Sequence, residues 1–138
     1  VSSIYDQVVR AVVGALDRLE SVASLTGRSE NNVVPERYLA KAPSTVIGVR
    51  VGDQSPRVTA GSWTVPAILS AYAPDEVTAA ALRDAAADGL TVANMAAAGY
   101  DAVVLEEVRR AVESEAEGDQ ETARADADLV LWITLSAG

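Results

Sequence analysis

The side chains of this chain that could do chemistry are carboxylates and arginines. The sequence contains no His and no Cys. The commonest general base, the commonest metal ligand and the thiolate nucleophile are therefore missing. Zinc sites built on His or Cys, and Ser-His or Cys-His nucleophile systems, are excluded. Paired acids remain, and two carboxylates can run acid–base chemistry when both face one bond. The nearest pairs are Glu106-Glu107 and Asp126-x-Asp128. On a strand, neighbouring residues face opposite ways, so Glu106 and Glu107 would not share a site. Asp126 and Asp128 would share a face, but on the solvent side. Glu117-Gly118-Asp119-Gln120-Glu121 gathers acids around a glycine, yet lacks the alternating ligands and the twelfth-position Glu of a calcium loop. Gly48, Gly52 and Gly61 are isolated, so there is no glycine-rich phosphate loop. Arg109-Arg110 reads as the local ion-pair partner of the surrounding glutamates. The other arginines are scattered and form no basic patch for nucleic-acid phosphates. No catalytic, cofactor-binding or metal-binding residue is expected, and the chain is not read as an enzyme.

The distribution of charge is more telling than any motif. The formal net charge is -9 over 138 residues. From Asp101 onward, ten carboxylates stand against only Arg109, Arg110 and Arg124. Before Asp101, ten acids stand against eight bases. Nearly all the excess thus lies in the final segment, which suits a surface that repels or selects a partner better than a reaction centre.

The composition predicts a single folded domain over residues 1–138. Hydrophobic residues make up 49% of the chain, but aromatics are few: Trp63, Trp132, four Tyr and no Phe. The core must come from Val, Leu, Ile and Ala. Small side chains each bury little area, at about 25 cal/mol per Å², so oligomerisation would be a natural supplement. Asp6, Arg10, Asp17 and Arg18 interrupt the N-terminal apolar pattern, which is incompatible with a signal peptide. The longest uncharged stretch, Val58 to Pro74, is too short and too polar to span a membrane. A soluble protein, intracellular at synthesis, is the expectation.

Ser3 followed by Asp6 predicts a helix start. Ile4, Val8, Val12, Leu16, Leu19 and Val22 continue at helical spacing as one element, with Gly27 as its stop. Arg28 to Pro43 reads as a long irregular connection, with a short helical turn at Pro35-Glu36-Arg37-Tyr38. Ser44 to Val51 is β-branched and predicts a strand. A second strand runs from about Arg57, is weak at Gly61, and continues from Trp63 to Tyr72. Pro66 cannot donate to a ladder, so the strand must be at an edge or bulged there. Asp75 caps the next helix, whose apolar stripe reads as Val77, Ala81, Leu82 and Ala85, ending at Gly89. Thr91 to Ala98 is a short helix closed by Gly99. Ala102 to Glu115 fits a helix or a strand, and local pattern slightly favours helix. The last strand puts Ala127, Leu129, Leu131, Ile133 and Leu135 on one face, with Asp126, Asp128 and Thr134 on the other.

This layout resembles the tail terminator proteins of long-tailed bacteriophages. The matching words are Ala98-Gly99-Tyr100-Asp101 at the close of the short helix, Trp63 heading the strand that runs into Pro74-Asp75, and Ala127-Asp128-Leu129 leading to Ile133-Thr134. The resemblance spans nearly the whole chain as a layout. It implies an α+β fold: a mixed, mainly antiparallel β-sheet with helices packed on one face and a long C-terminal β-hairpin over Ala102 to Leu135. It further implies a structural virion protein at the tail–neck region, assembled in the host cytoplasm and needing no cofactor. In that family a hexameric ring of identical chains caps the tail tube, stops its growth and presents the head-joining surface. DNA passes through the hole without specific binding. The implied partners are further copies of the chain, the tail tube protein and a head–tail connector or neck protein, with no membrane. On this reading Glu113, Glu115, Glu117, Asp119 and Glu121 are candidate lumen-facing acids; otherwise they form a solvated loop. Two other readings stay open: a different head–tail connector, or an acidic adaptor or inhibitor that occupies a basic partner.

Overall fold

The computed structural model describes residues 3–41, 45–53, 55–56, 61–117 and 120–134. Helix α1, Ile4–Leu16, starts where the sequence predicts: the Ser3 side chain accepts the N–H of Asp6. The amphipathic stretch is not one helix. It breaks after Leu16 and restarts as α2, Glu20–Thr26, with Leu19 extended between them. Asp17 explains the break. Its carboxylate accepts the backbone N–H groups of Asn31, Asn32 and Val33, at 3.1, 2.7 and 2.9 Å. The side chain is thus tied to the chain's return path. Gly27 stops α2 in the left-handed region, φ 75°, where a Cβ would be strained.

The connection expected to be irregular holds two elements. Strand β1, Val33–Pro35, is followed by a 3-10 helix, Glu36–Lys41, at the predicted helical turn. Strand β2, Val46–Val51, pairs parallel with β1 and antiparallel with β4, Ser62–Ala73. A two-residue strand β3, Ser55–Pro56, joins β4 on the same side as β2. Gly61 turns the chain into β4 at φ 80°. The register steps from Val51↔Ala67 to Ser55↔Thr64, one residue longer on the β2–β3 side. Pro66 falls in that gap. Its carbonyl accepts the N–H of Gly52, and its missing donor faces the interruption. The proline therefore marks a bulge within an interior strand.

Helix α3, Glu76–Gly89, is capped by Asp75, whose carboxylate accepts the N–H and hydroxyl of Thr78. Its buried stripe differs from the expected one. Ala79, Leu82, Ala86 and Gly89 face inward, whereas Val77 is 80% exposed. Alanine is so frequent in this helix that several stripes look apolar. The stripe that packs is the narrow one, able to approach the alanine-rich part of the sheet. Ala73, Ala79, Ala123 and Ala125 form that contact. Helix α4, Val92–Ala97, is capped by Thr91, and Gly99 at φ 94° turns the chain into β5.

Strands β5, Asp101–Glu117, and β6, Gln120–Thr134, form the long hairpin. The strand order is β1-β2-β4-β6-β5, with β3 beside β4. The fold is α+β: a mixed, mainly antiparallel sheet carrying helices on one face. Helix α1 lies over β1 and β2, α3 over β4 and β6, and α4 against β5. The core between them gathers Val8, Val12, Leu16, Ile47, Val49, Leu69, Leu82, Met95, Leu129 and Leu131. Leu39 of the 3-10 helix reaches the opposite face, where a side chain at Gly48 would lie 3.0 Å from its Cδ1.

Candidate functional site

The hairpin is the part of the molecule with most to offer a partner. Ala123, Ala125, Ala127, Leu129, Leu131 and Ile133 of β6 are all buried against the helices. The alternate residues, Thr122 to Thr134, are half-buried on the face away from the α-helices. This is the alternation expected of the last strand; Leu135 lies outside the described residues. The paired positions of β5 do not alternate so simply. Two register shifts, between Val104 and Glu106 and between Glu107 and Arg109, leave Leu105 and Val108 without a partner on β6. Ala102, Val104, Glu107, Arg110 and Val112 consequently stand opposite the buried residues of β6. The bulges stretch the spacing from two to three residues around Glu107. The helical alignment of Val104, Val108, Ala111 and Val112 in the sequence does not survive, because Val108 falls in a bulge. The structure makes it a strand.

The carboxylate pairs separate as strand geometry requires. Glu106 stands opposite Val130 and Glu107 opposite Leu129, on different faces. Asp126 and Asp128 share the face away from the α-helices, and each meets an arginine. Arg109 Nε lies 3.2 Å from Asp128 Oδ2, and Arg124 Nε lies 3.4 Å from Asp126 Oδ2. Tyr72 sits opposite Arg124; burial pushes its phenol up, against the lowering effect of that guanidinium. Among the described residues, no three carboxylates are grouped so as to hold a metal ion. A shallow hollow of about 150 Å³ lies between Asp101, Ala102, Val103, Trp132 and Thr134. That is below the several hundred Å³ usual for a small-molecule site.

One charged cluster was missed by reading the sequence. Arg110 binds Glu107 beside it on β5 and also Asp84 and Asp88 on α3, at 2.6 and 3.2 Å. Arg83, only 11% exposed, binds Asp84 and donates to the carbonyl oxygen of Ala111 on β5. Three acids and two arginines thus clamp α3 to the bulged strand. The hydrogen bonds from Arg110 hold the Glu107 carboxyl below the usual carboxylate range. At Asp84, burial raises the pKa, but hydrogen bonds and charge from Arg110 and Arg83 outweigh it and the net shift is downward. Arg110 is driven upward, chiefly by the hydrogen bond to Glu107. The available signal was the Asp84–Asp88 pair: like charges four residues apart on a helix repel unless a cation joins them. Arg110 does partner local glutamate, as expected, and also reaches α3, whereas Arg109 pairs with Asp128 on β6 and not with a glutamate.

The candidate lumen acids lie at the free end of the hairpin. Glu113, Glu115 and Glu117 stand opposite Arg124, Thr122 and Gln120. Glu121 stands opposite Ala116, one step out of that alternation. Asp119 lies outside the described residues.

No family model matches the chain, and no curated protein matches it. A solved structure does: a chain from the virion of a native gene transfer agent (GTA) particle. The TM-score is 0.64 at 16% sequence identity, covering 97% of this chain and all 100% of the other. At that identity the likeness is one of fold. It spans nearly all of this chain and all of the other. Among the described residues, no helix is long and apolar enough to cross a membrane.

Proposed function

We propose that the chain is a structural component of a phage-type virion that caps the end of a tail tube as a ring. The ring stops tube polymerisation and offers the surface to which the head joins. The observation that carries this reading is the full-length likeness of fold to a virion chain. The resemblance of the sequence layout to tail terminators supports the finer role. On this reading the tip of the hairpin runs past the last β4–β6 pair, Ala73 and Ala123, and its acidic end, with Glu113, Glu115, Glu117, Asp119 and Glu121, lines the hole through which DNA passes. DNA carries one negative charge per roughly 1.7 Å of axis. A basic wall would hold it, whereas an acidic wall lets it slide. Screening confines the effect to about 8 Å at physiological salt, so only acids facing the lumen contribute.

The test is electron microscopy of purified tail tube protein polymerising with and without this chain. Tubes should stop at defined lengths and carry a ring on one end. Tubes that keep lengthening in its presence would sink the terminator role. Rings bound to tubes that still grow would instead favour another head–tail connector.

A further inference from the structure

We infer that copies of this chain join head to tail, the β5 edge of one docking on the β1–β2 edge of the next. The inference rests on the ring reading above and specifies the surface that would build the ring. It comes from where strand order places charge and exposed apolar groups. The sheet order puts β1–β2 at one end and β5 at the other. Between Val33 and Val51 the only acid is Glu36, against Arg37, Lys41 and Arg50. Strand β5 carries Asp101, Glu106, Glu107, Glu113, Glu115 and Glu117 against Arg109 and Arg110. A chain of net charge -9 repels its own copies unless unlike surfaces meet. The pairing of these two edges is the attractive one.

Four of the six exposed large apolar groups among the described residues lie at these two edges; the other two, Val77 and Val92, lie on α3 and α4. Tyr38 is exposed on the 3-10 helix at the first edge; Leu105, Val108 and Val112 are exposed on β5 at the second. Leu105 and Val108 are the residues that the bulges leave unpaired, and Val108 is 57% exposed. Bulges on an edge strand discourage simple ladder extension and re-aim side chains. The neighbour therefore docks through side chains: apolar anchors on an acid-rich strand, β5, against Tyr38 on a segment whose sequence is richer in bases. Because the two edges differ, the contact is heterologous, and repeating it closes a ring when the rotation permits.

Sedimentation of the purified chain tests this with Val108→Asp, which damages one edge, and Arg50→Glu, which damages the other. Arg50 is 59% exposed and makes only a loose pair with Glu36 at 3.8 Å. Both variants should therefore fold, with circular dichroism and unfolding midpoint as checks. If Val108→Asp did fail to fold, Leu105→Asp would replace it. Wild-type chain should associate, and more weakly as salt rises. Each variant alone should associate at least ~10-fold more weakly, the effect of losing one anchor residue. An equal mixture should give dimers and nothing larger, since each variant keeps one good edge. Wild type that stays monomeric, a variant that keeps the wild-type mass, or a mixture that stays monomeric overturns the inference. Capped tubes together with unaffected variants would leave the terminator role standing and reject only this contact.

Discussion

At the scale of single residues, two charged side chains determine geometry out of proportion to their size. Asp17 ends α1 and holds the backbone of Asn31, Asn32 and Val33 at the start of β1. Replacing it with Ala leaves three N–H groups without their acceptor. We expect Asp17→Ala to cost about 2 kcal/mol, from hydrogen bonds to a charged group, partly recovered where water reaches the donors. Asp17→Asn should cost less, because one oxygen remains; equal losses in chemical denaturation would refute this role. Arg110 joins α3 to β5 through Glu107, Asp84 and Asp88. These groups are partly exposed and screened, so Arg110→Ala should cost only about 1 kcal/mol. Its pH signature is more diagnostic. Glu107 and Asp84 have lowered pKa values in the folded state, so their contribution is present above the ordinary carboxylate range. It is lost as pH falls through those lowered values. Wild type and Arg110→Ala should therefore differ in stability at neutral pH and converge in acid. A gap that stays constant from pH 7 to pH 3 would contradict the cluster's role.

At the scale of elements, close approach determines the packing. Gly14 of α1 lies against α4: a Cβ there would sit 2.6 Å from Ala98 Cβ. Alanine in a helix gains about 1 kcal/mol over glycine, whereas overpacking costs roughly 1–3 kcal/mol. A contact between two Cβ atoms cannot be relieved by a side-chain rotation, so we expect Gly14→Ala to lower the unfolding midpoint. A raised midpoint would mean that α4 moves aside freely. Most element positions were legible in the sequence because caps and turns act locally. Ser3, Asp75 and Thr91 accept the N–H groups of Asp6, Thr78 and Asn94, and Gly27 and Gly99 have positive φ. The first arm of the hairpin was not locally legible. Its bulges at Leu105 and Val108 interrupt the alternation of a strand, and only pairing with β6 resolves the register. The break after Leu16 was hidden for a similar reason, since the partners of Asp17 lie at Asn31 to Val33.

At the scale of the whole molecule, the proposed roles depend on which surface faces which neighbour. If the hairpin end lines a channel, exchanging Glu113, Glu115 and Glu117 for lysine should leave tube capping intact. DNA release from particles carrying the variant should then slow. Unchanged release, with rings still formed, would return these acids to an ordinary solvated surface. The register already divides them: Glu121 stands out of step with the other three. A single stripe of all the candidate acids is therefore not what the hairpin presents.

The capped helix starts, the buried face of β6 and the concentration of acid after Asp101 follow from the residue order. Each depends on neighbours within a few positions or on a count. The bulged register of β5, the alanine stripe by which α3 packs, the clamp around Arg110 and the placement of opposite charge at the two sheet edges were decided by tertiary structure. The reason is physical: each depends on groups distant in sequence, which meet only when β6 takes its place between β4 and β5.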